Sequence, residues 1–376
     1  MNICIVGGGH IGTTLACYIK YMDGAHRVAL YTRRPELFHP TLKCNDIENH
    51  LSYEVTLDVI SKGPSVAAGN ADIVFIALPH FAVEQAFKEI APYVAQDAFI
   101  GVIPGGGGCE FFYEKYFRNS QTLFGFQRVP FTAKLVEYGR ETNLKSWKKF
   151  SVVGTLQRER VEAACNKINL CALKTRKADN YLSIALTPTN PVLHTSRMYE
   201  IFGNFKRDHI FAEKSLFYVG WSDAASRILW SMDSELHQIL NCIPEIDTSA
   251  IRPLSEHYEA PTICEMTRKI NSIPTFQSVY APMKSVDESN NAFVADTESR
   301  MFTEDFPWGL AIIRAYCDFY DVQAPTMDKV LKWYADYMGY EWYIGDKFMG
   351  KDLIKTGIPQ RYGITKKQEL LRCYLK

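Results

Sequence analysis

Two patterns of apolar and polar residues divide the chain. Up to about residue 186, short apolar, β-branched runs alternate with amphipathic segments. The runs lie at 2–6, 26–31, 71–79, 98–103, 122–126, 133–138 and 150–154. Helical spacing fits 13–19, 81–95, 109–117 and 157–170. Fully buried strands alternating with helices predict βαβ units and a parallel sheet. The interval 36–70 is less regular: 53–57 fits a strand, and a Ser-Lys-Gly-Pro turn at 61–64 breaks the chain. A Thr/Pro-rich stretch, 185–191, ends the alternation. Beyond it, apolar residues recur at helical spacing, as at 224–240, 310–320 and 327–338. The expected organisation is a Rossmann-like α/β dinucleotide-binding domain, 1–186, followed by an all-α domain, 187–376.

Composition narrows the partners. Lys+Arg and Asp+Glu are both 42, so the formal charge is zero and neither a nucleic-acid nor an anionic-membrane partner is expected. The longest apolar runs fall short of the roughly 18 residues of a membrane span, and with a first strand expected from residue 2 no leader peptide is expected. Ten cysteines occur without a CxxC pair. They fit reduced thiols of a cytoplasmic protein, and no metal site is expected.

The sharpest motif is Gly7-Gly8-Gly9-His10-Ile11-Gly12, between the first strand and the first helix. This is G-x-G-x-x-G in the context that gives it meaning. Gly7 permits a tight turn, Gly9 admits a pyrophosphate to the backbone, and Gly12 lets the helix lie close on the sheet. His10 and Ile11 open the helix, whose free N–H groups and dipole favour phosphate; the bland alternative is a plain glycine turn. Thr32-Arg33-Arg34 ends the second strand, where an NAD site would carry an acid for the ribose 2′-hydroxyl. Two arginines instead offer charged forks to a 2′-phosphate, so NADP(H) is favoured over NAD(H), unless they only solvate the strand end. Pro79, His80 and the glycines at 105–108 follow later strands and are further cofactor-binding candidates, although four glycines also suit a flexible turn.

The helical half carries two polar clusters in apolar surroundings. In Asn190-Pro191-Val192-Leu193-His194, a helix opening near Pro191 sets His194 one turn in, where it serves as proton donor or acceptor at neutral pH or as a structural histidine. In Arg300-Met301-Phe302-Thr303-Glu304-Asp305-Phe306-Pro307-Trp308-Gly309-Leu310, an acid could orient a histidine and Arg300 could bind a carboxylate. The plain alternative is a solvated helix start favoured by the dipole. Trp221, Trp230 and Trp308 fit core packing better than a ligand pocket.

These pieces together resemble the octopine/nopaline (opine) dehydrogenase family over nearly the full length. The resemblance rests on GGGHIG at 7–12, P-F-T at 130–132 with Tyr138-Gly139, N-P-V-L-H at 190–194 and R-M-F-T-E-D-F-P-W-G-L at 300–310. It implies NAD(P)H-dependent condensation of an α-keto acid, most often pyruvate, with the amino group of an L-amino acid. The imine forms in a cleft between the domains and is then reduced. By the same resemblance His194 and Asp305 form the proton-relay pair and Arg300 meets substrate carboxylates, with Asn190 and Thr132 as weaker hydrogen-bonding candidates. A 2-hydroxy-acid or ketopantoate-type dehydrogenase is the first rival, although such enzymes usually place a lysine where Asn190 and His194 stand. A non-catalytic NADP(H) sensor is the second. An aromatic-rich helical half suits a homodimer interface as well as a monomer core.

Overall fold

The computed structural model describes residues 1–188, 190–287 and 291–375. The chain divides into two compact units. Met1–Ala185 and Leu371–Lys376 make the first, and Leu186–Leu370 the second. The boundary thus falls near the Thr/Pro-rich stretch, but the C-terminal segment groups with the first unit, away from the helical half to which 187–376 assigned it. The reason is burial: Leu371 and Tyr374 are buried, and the Tyr374 hydroxyl donates to Glu110 Oε1 at 2.7 Å.

In the first unit the strands are β1 (Asn2–Val6), β2 (Arg27–Tyr31), β3 (Thr41–Asp46), β4 (Leu51–Thr56), β5 (Val59–Ser61), β6 (Ile73–Ile76), β7 (Phe99–Val102), β8 (Thr122–Phe126), β9 (Phe131–Glu137), β10 (Glu141–Trp147), β11 (Ser151–Thr155) and β12 (Thr175–Lys177). Eight of them form one sheet in the order β12-β11-β8-β7-β6-β1-β2-β5. Every pairing is parallel except β8 with β11. Because β2 lies on one side of β1 and β6 on the other, the strand order reverses there. The carboxyl ends of β1 and β6 therefore flank the switch point, where open α/β sheets bind ligands.

The irregular interval 36–70 supplies β3 and β4, which join β9 and β10 in a second sheet of order β4-β3-β10-β9. The strands expected at 53–57 and 133–138 thus lie outside the main sheet. Their alternating burial, as in β3, is the signature of a strand with one wet face. The helix His10–Met22 buries Leu15, Ala16, Cys17 and Ile19 in one cluster with Ile5 and Leu30 of the main sheet and Leu42, Cys44 and Leu144 of the second. Burial on several faces explains the helix's small residues.

The second unit is built from Asn190–Phe202, Asp223–Asn241, Ile263–Ser272, Ala311–Tyr320 and Pro325–Met338, with shorter helical turns between. Asp223–Asn241 shows the construction: Ser222 Oγ caps it by accepting from the Ala224 and Ala225 amides, and Ala225, Leu229, Met232, Leu236 and Ile239 form its buried stripe. One hairpin, Met283–Asp287 with Ala292–Ala295, interrupts the helices. The sequence pattern did not reveal it because its strands are short and only Met283 and Ala295 are buried. Among the described residues, no helix is long and apolar enough to cross a membrane.

Candidate active site

The first unit carries a backbone cradle. Gly7 has φ +114° and sits against the end of β6, where an added Cβ would lie 2.6 Å from the Ala77 carbonyl oxygen. At Gly12 the same atom would lie 1.9 Å from the Gly7 oxygen, so only glycine lets the helix start this close to the loop. Gly9 is different: nothing lies within 4 Å of its Cβ position. It precedes the helix with extended backbone and caps no amide with a side chain. A tight turn, a snug helix and one open glycine at a helix N-terminus fit a pyrophosphate. His10 Nδ1 accepts the Leu135 amide at 3.0 Å and ties the loop to β9, with Ile11 half-buried behind it.

Around this cradle, Thr32 is buried at the end of β2, with its amide on the Ser61 carbonyl and its Oγ1 3.5 Å from the Arg34 amide. Arg33 and Arg34 are exposed, and the Arg34 guanidinium lies 5.0 Å from the centre of the Tyr138 ring. Pro79 leads into the 3-10 turn His80–Ala82. His80 Nε2 donates to the Pro104 carbonyl at 3.2 Å, and its ring fills the space that a side chain at Gly107 would need. The glycines at 105–108 are therefore a packed loop against His80 and β8. Thr132 is exposed on β9.

The second unit carries a pair of side chains 111 residues apart in sequence. His194 Nδ1 and Asp305 Oδ2 are 2.7 Å apart, with both side chains largely buried. Each partner is held from behind. Pro191 packs on Gly309, where a Cβ would come within 2.5 Å of the proline ring. That contact presses the start of Asn190–Phe202 onto Phe306–Leu310, a π-helical turn of the kind frequent at functional sites. His194 stands one turn beyond Pro191 and Asp305 just before the π turn, so the contact brings them together. Phe306 stacks on Tyr334 at 4.1 Å, and the Tyr334 hydroxyl donates to the Phe302 carbonyl at 2.8 Å. Both anchors stiffen the stretch that carries the acid.

A carboxylate only accepts, so Asp305 requires the proton on Nδ1 and leaves Nε2 as the exchanging nitrogen. Nε2 meets the Tyr218 hydroxyl at 2.7 Å. Burial holds that phenol well above its ordinary pKa, with Tyr258 and Asp305 adding to the rise. Sequence reasoning missed Tyr218, which lies in an irregular stretch with no periodicity to flag it. Arg197, three residues after His194, was readable from helical spacing and was also missed. Its Nε donates to the Phe217 carbonyl at 2.7 Å.

Two other candidates lie near the dyad in sequence. Asn190 is exposed at the helix start. Arg300 is two-thirds exposed and reaches Glu304, with Nε 2.6 Å from Oε2.

Residues 177–338 match the family described as NAD/NADP octopine/nopaline dehydrogenase, alpha-helical domain, and residues 3–141 match the one described as ketopantoate reductase PanE/ApbA. An opine dehydrogenase of Haliotis discus hannai is 28% identical over 97% of this chain and 96% of its own. A tauropine dehydrogenase of Arabella iricolor is 26% identical over 98% and 99%. The solved structure of an octopine dehydrogenase with NADH and L-arginine has the same fold, at TM-score 0.84 and 23% identity over 99% of this chain and 98% of that one.

Proposed function

The chain belongs to the octopine/nopaline dehydrogenase family as an NAD(P)-dependent oxidoreductase acting on a CH–NH bond, and we propose that it joins pyruvate, or a close α-keto acid, to the amino group of an L-amino acid. The His194–Asp305 pair carries this reading, because the reaction needs one group that both takes and returns protons. The amine adds to the keto carbon, water leaves, and the C=N bond accepts a hydride at carbon and a proton at nitrogen. When bound, the nicotinamide cofactor supplies the hydride.

The chain's residues supply the rest. Gly7, Gly9 and Gly12, with the amides at His10 and Ile11, hold the pyrophosphate, and Pro79 and His80 border it. The rim of Thr32, Arg33 and Arg34, without an acid, supports NADP(H) over NAD(H). His194 takes the proton whose loss makes the amino group nucleophilic and returns one to the departing hydroxyl. Asp305 keeps the proton on Nδ1 and stabilises the imidazolium. Arg300 takes a substrate carboxylate, sharing its guanidinium with Glu304, while Asn190 and Thr132 add hydrogen bonds.

Following NADPH and NADH oxidation by absorbance, with pyruvate and a divided pool of amino acids, tests the reading. Oxidation that needs both substrates supports it, and the division names the amine. Oxidation by a keto acid alone would replace it with the hydroxy-acid reaction, the alternative that the ketopantoate-reductase likeness of residues 3–141 keeps in view.

A further inference from the structure

We propose that Tyr218 is a third member of the proton device and that protons pass between His194 and the substrate through its hydroxyl; this rests on the reaction proposed above. An imidazole nitrogen has one hydrogen-bonding direction, in the ring plane. On Nδ1 that direction is spent on Asp305 and on Nε2 it is spent on Tyr218, at 2.7 Å each. His194 therefore has no nitrogen free for a substrate while the Tyr218 bond stands.

That bond is built to stand. The Tyr218 ring is buried and stacks on Phe276 with centroids 3.8 Å apart. Its backbone is pinned from the same helix that carries His194: Arg197, itself buried and paired with Glu200, donates from Nε to the Phe217 carbonyl. On the other side, the Phe217 amide donates to Val279 at 2.7 Å, the Gly220 amide to Asn271 Oδ1 at 2.9 Å, and Asn271 Nδ2 to the Trp221 carbonyl at 2.9 Å. Phe217 also meets the His194 ring edge to face at 5.5 Å. A tyrosine that merely filled space would need none of this.

The transfer balances without a tyrosinate. As the substrate ammonium gives a proton to the Tyr218 oxygen, the hydroxyl gives its own to Nε2, and His194 becomes an imidazolium held by Asp305. The return runs in reverse: Nε2–H donates to the Tyr218 oxygen while the hydroxyl proton protonates the leaving hydroxyl of the carbinolamine. Both steps leave the phenol neutral, as its raised pKa requires.

Tyr218→Phe removes the hydroxyl and keeps the stacked ring. A relay predicts that kcat falls by about 10²-fold or more, with thermal midpoint and cofactor binding unchanged. The wild-type rate should depend on solvent deuterium content with the curvature of two protons in flight, and the residual rate of the variant with one. A variant within about threefold of wild type overturns the relay, since freeing Nε2 would then have cost nothing. The ¹⁵N spectrum of the His194 ring gives a readout without substrate: loss of the Tyr218 bond shifts Nε2 in the variant, and an unchanged Nε2 resonance also overturns the proposal. Wild-type protein that oxidises neither cofactor with any keto acid and amine places the fault in the proposed reaction, and the ring spectrum still decides whether Tyr218 holds Nε2.

Discussion

The cradle at Gly7–Gly12 and the pair His194–Asp305 solve opposite problems. The cradle is made by leaving side chains out: one glycine turns, one leaves open space, and one lets a helix touch the loop. Its parts are adjacent in sequence, so local geometry assembles it. The pair is made by bringing side chains together across 111 residues, and nothing local does that. The Pro191–Gly309 contact and the stack of Phe306 on Tyr334 do it instead. A backbone-built site fails through steric intrusion, whereas a side-chain-built site fails through loss of charge. Substitutions that separate these modes of failure test the contrast.

The largest effect is expected at the pair. Asp305→Asn keeps the size and a carbonyl for Nδ1–H but removes the charge that stabilises the imidazolium. We expect kcat to fall by about 10² to 10⁴-fold, with NADPH binding, measured by cofactor fluorescence, unaltered. A variant that turns over at the wild-type rate would mean that Asp305 is only a packing partner.

Next comes the cradle, where two glycines should respond differently. Gly12→Ala places a carbon against the Gly7 oxygen, so the loop must shift even without ligand. Cofactor binding should weaken by about 100-fold in Kd, or about 2.7 kcal/mol, and the thermal midpoint should drop with it. Gly9→Ala meets open space in the protein itself. It should leave the midpoint alone and weaken only the cofactor. Equal thermal losses in both variants would show that the open space at Gly9 is not reserved for a ligand.

The same contrast explains what could be read in advance. The glycine motif, the parallel sheet around β1 and the helical second half follow from contiguous patterns, each carrying its own periodicity or steric rule. His194 and Asp305 were singled out as separate residues, but their meeting came from a family resemblance, since neither spacing implies the other. The second sheet was obscured because β3, the partner of β4, pairs with β10 about a hundred residues later, and a register across such a gap leaves no local mark. Tyr218 was invisible for a related reason: Arg197, Asn271 and Val279 position it, and all three are remote from it in sequence.

Smaller effects are expected at the rim of the cradle. Each guanidinium at Arg33 and Arg34 is exposed, and Arg34 is steadied by Tyr138. Replacing either with alanine should lower the ratio of kcat/KM for NADPH over NADH by about tenfold, the worth of one charge-assisted hydrogen bond. A ratio that stays constant in both variants would leave the strand end as a solvated turn and remove the preference for NADP(H).

The smallest effect probes a side chain inside the backbone-built unit. Glu110 lies in the first turn of Cys109–Tyr116, directly after the glycines at 105–108, and is fully buried. Burial pushes its carboxyl up to about 7, only partly opposed by the Tyr374 hydroxyl. An acid whose folded pKa exceeds its unfolded value favours folding in its protonated form. Its stabilising share is therefore complete below the unfolded value, near 4.5, and is lost as pH rises through about 7. Between pH 6 and 8 this group alone should cost the wild type about 1 kcal/mol of unfolding free energy. Glu110→Gln keeps an acceptor for Tyr374 and removes the titration, so denaturant unfolding at the two pH values should differ less in the variant by about that amount. An identical pH dependence in both proteins would mean that Glu110 is ionised in the folded state. The C-terminal strand of contacts at Tyr374 would then be holding a charge, and the first unit would depend on a paired side chain as much as the second one does.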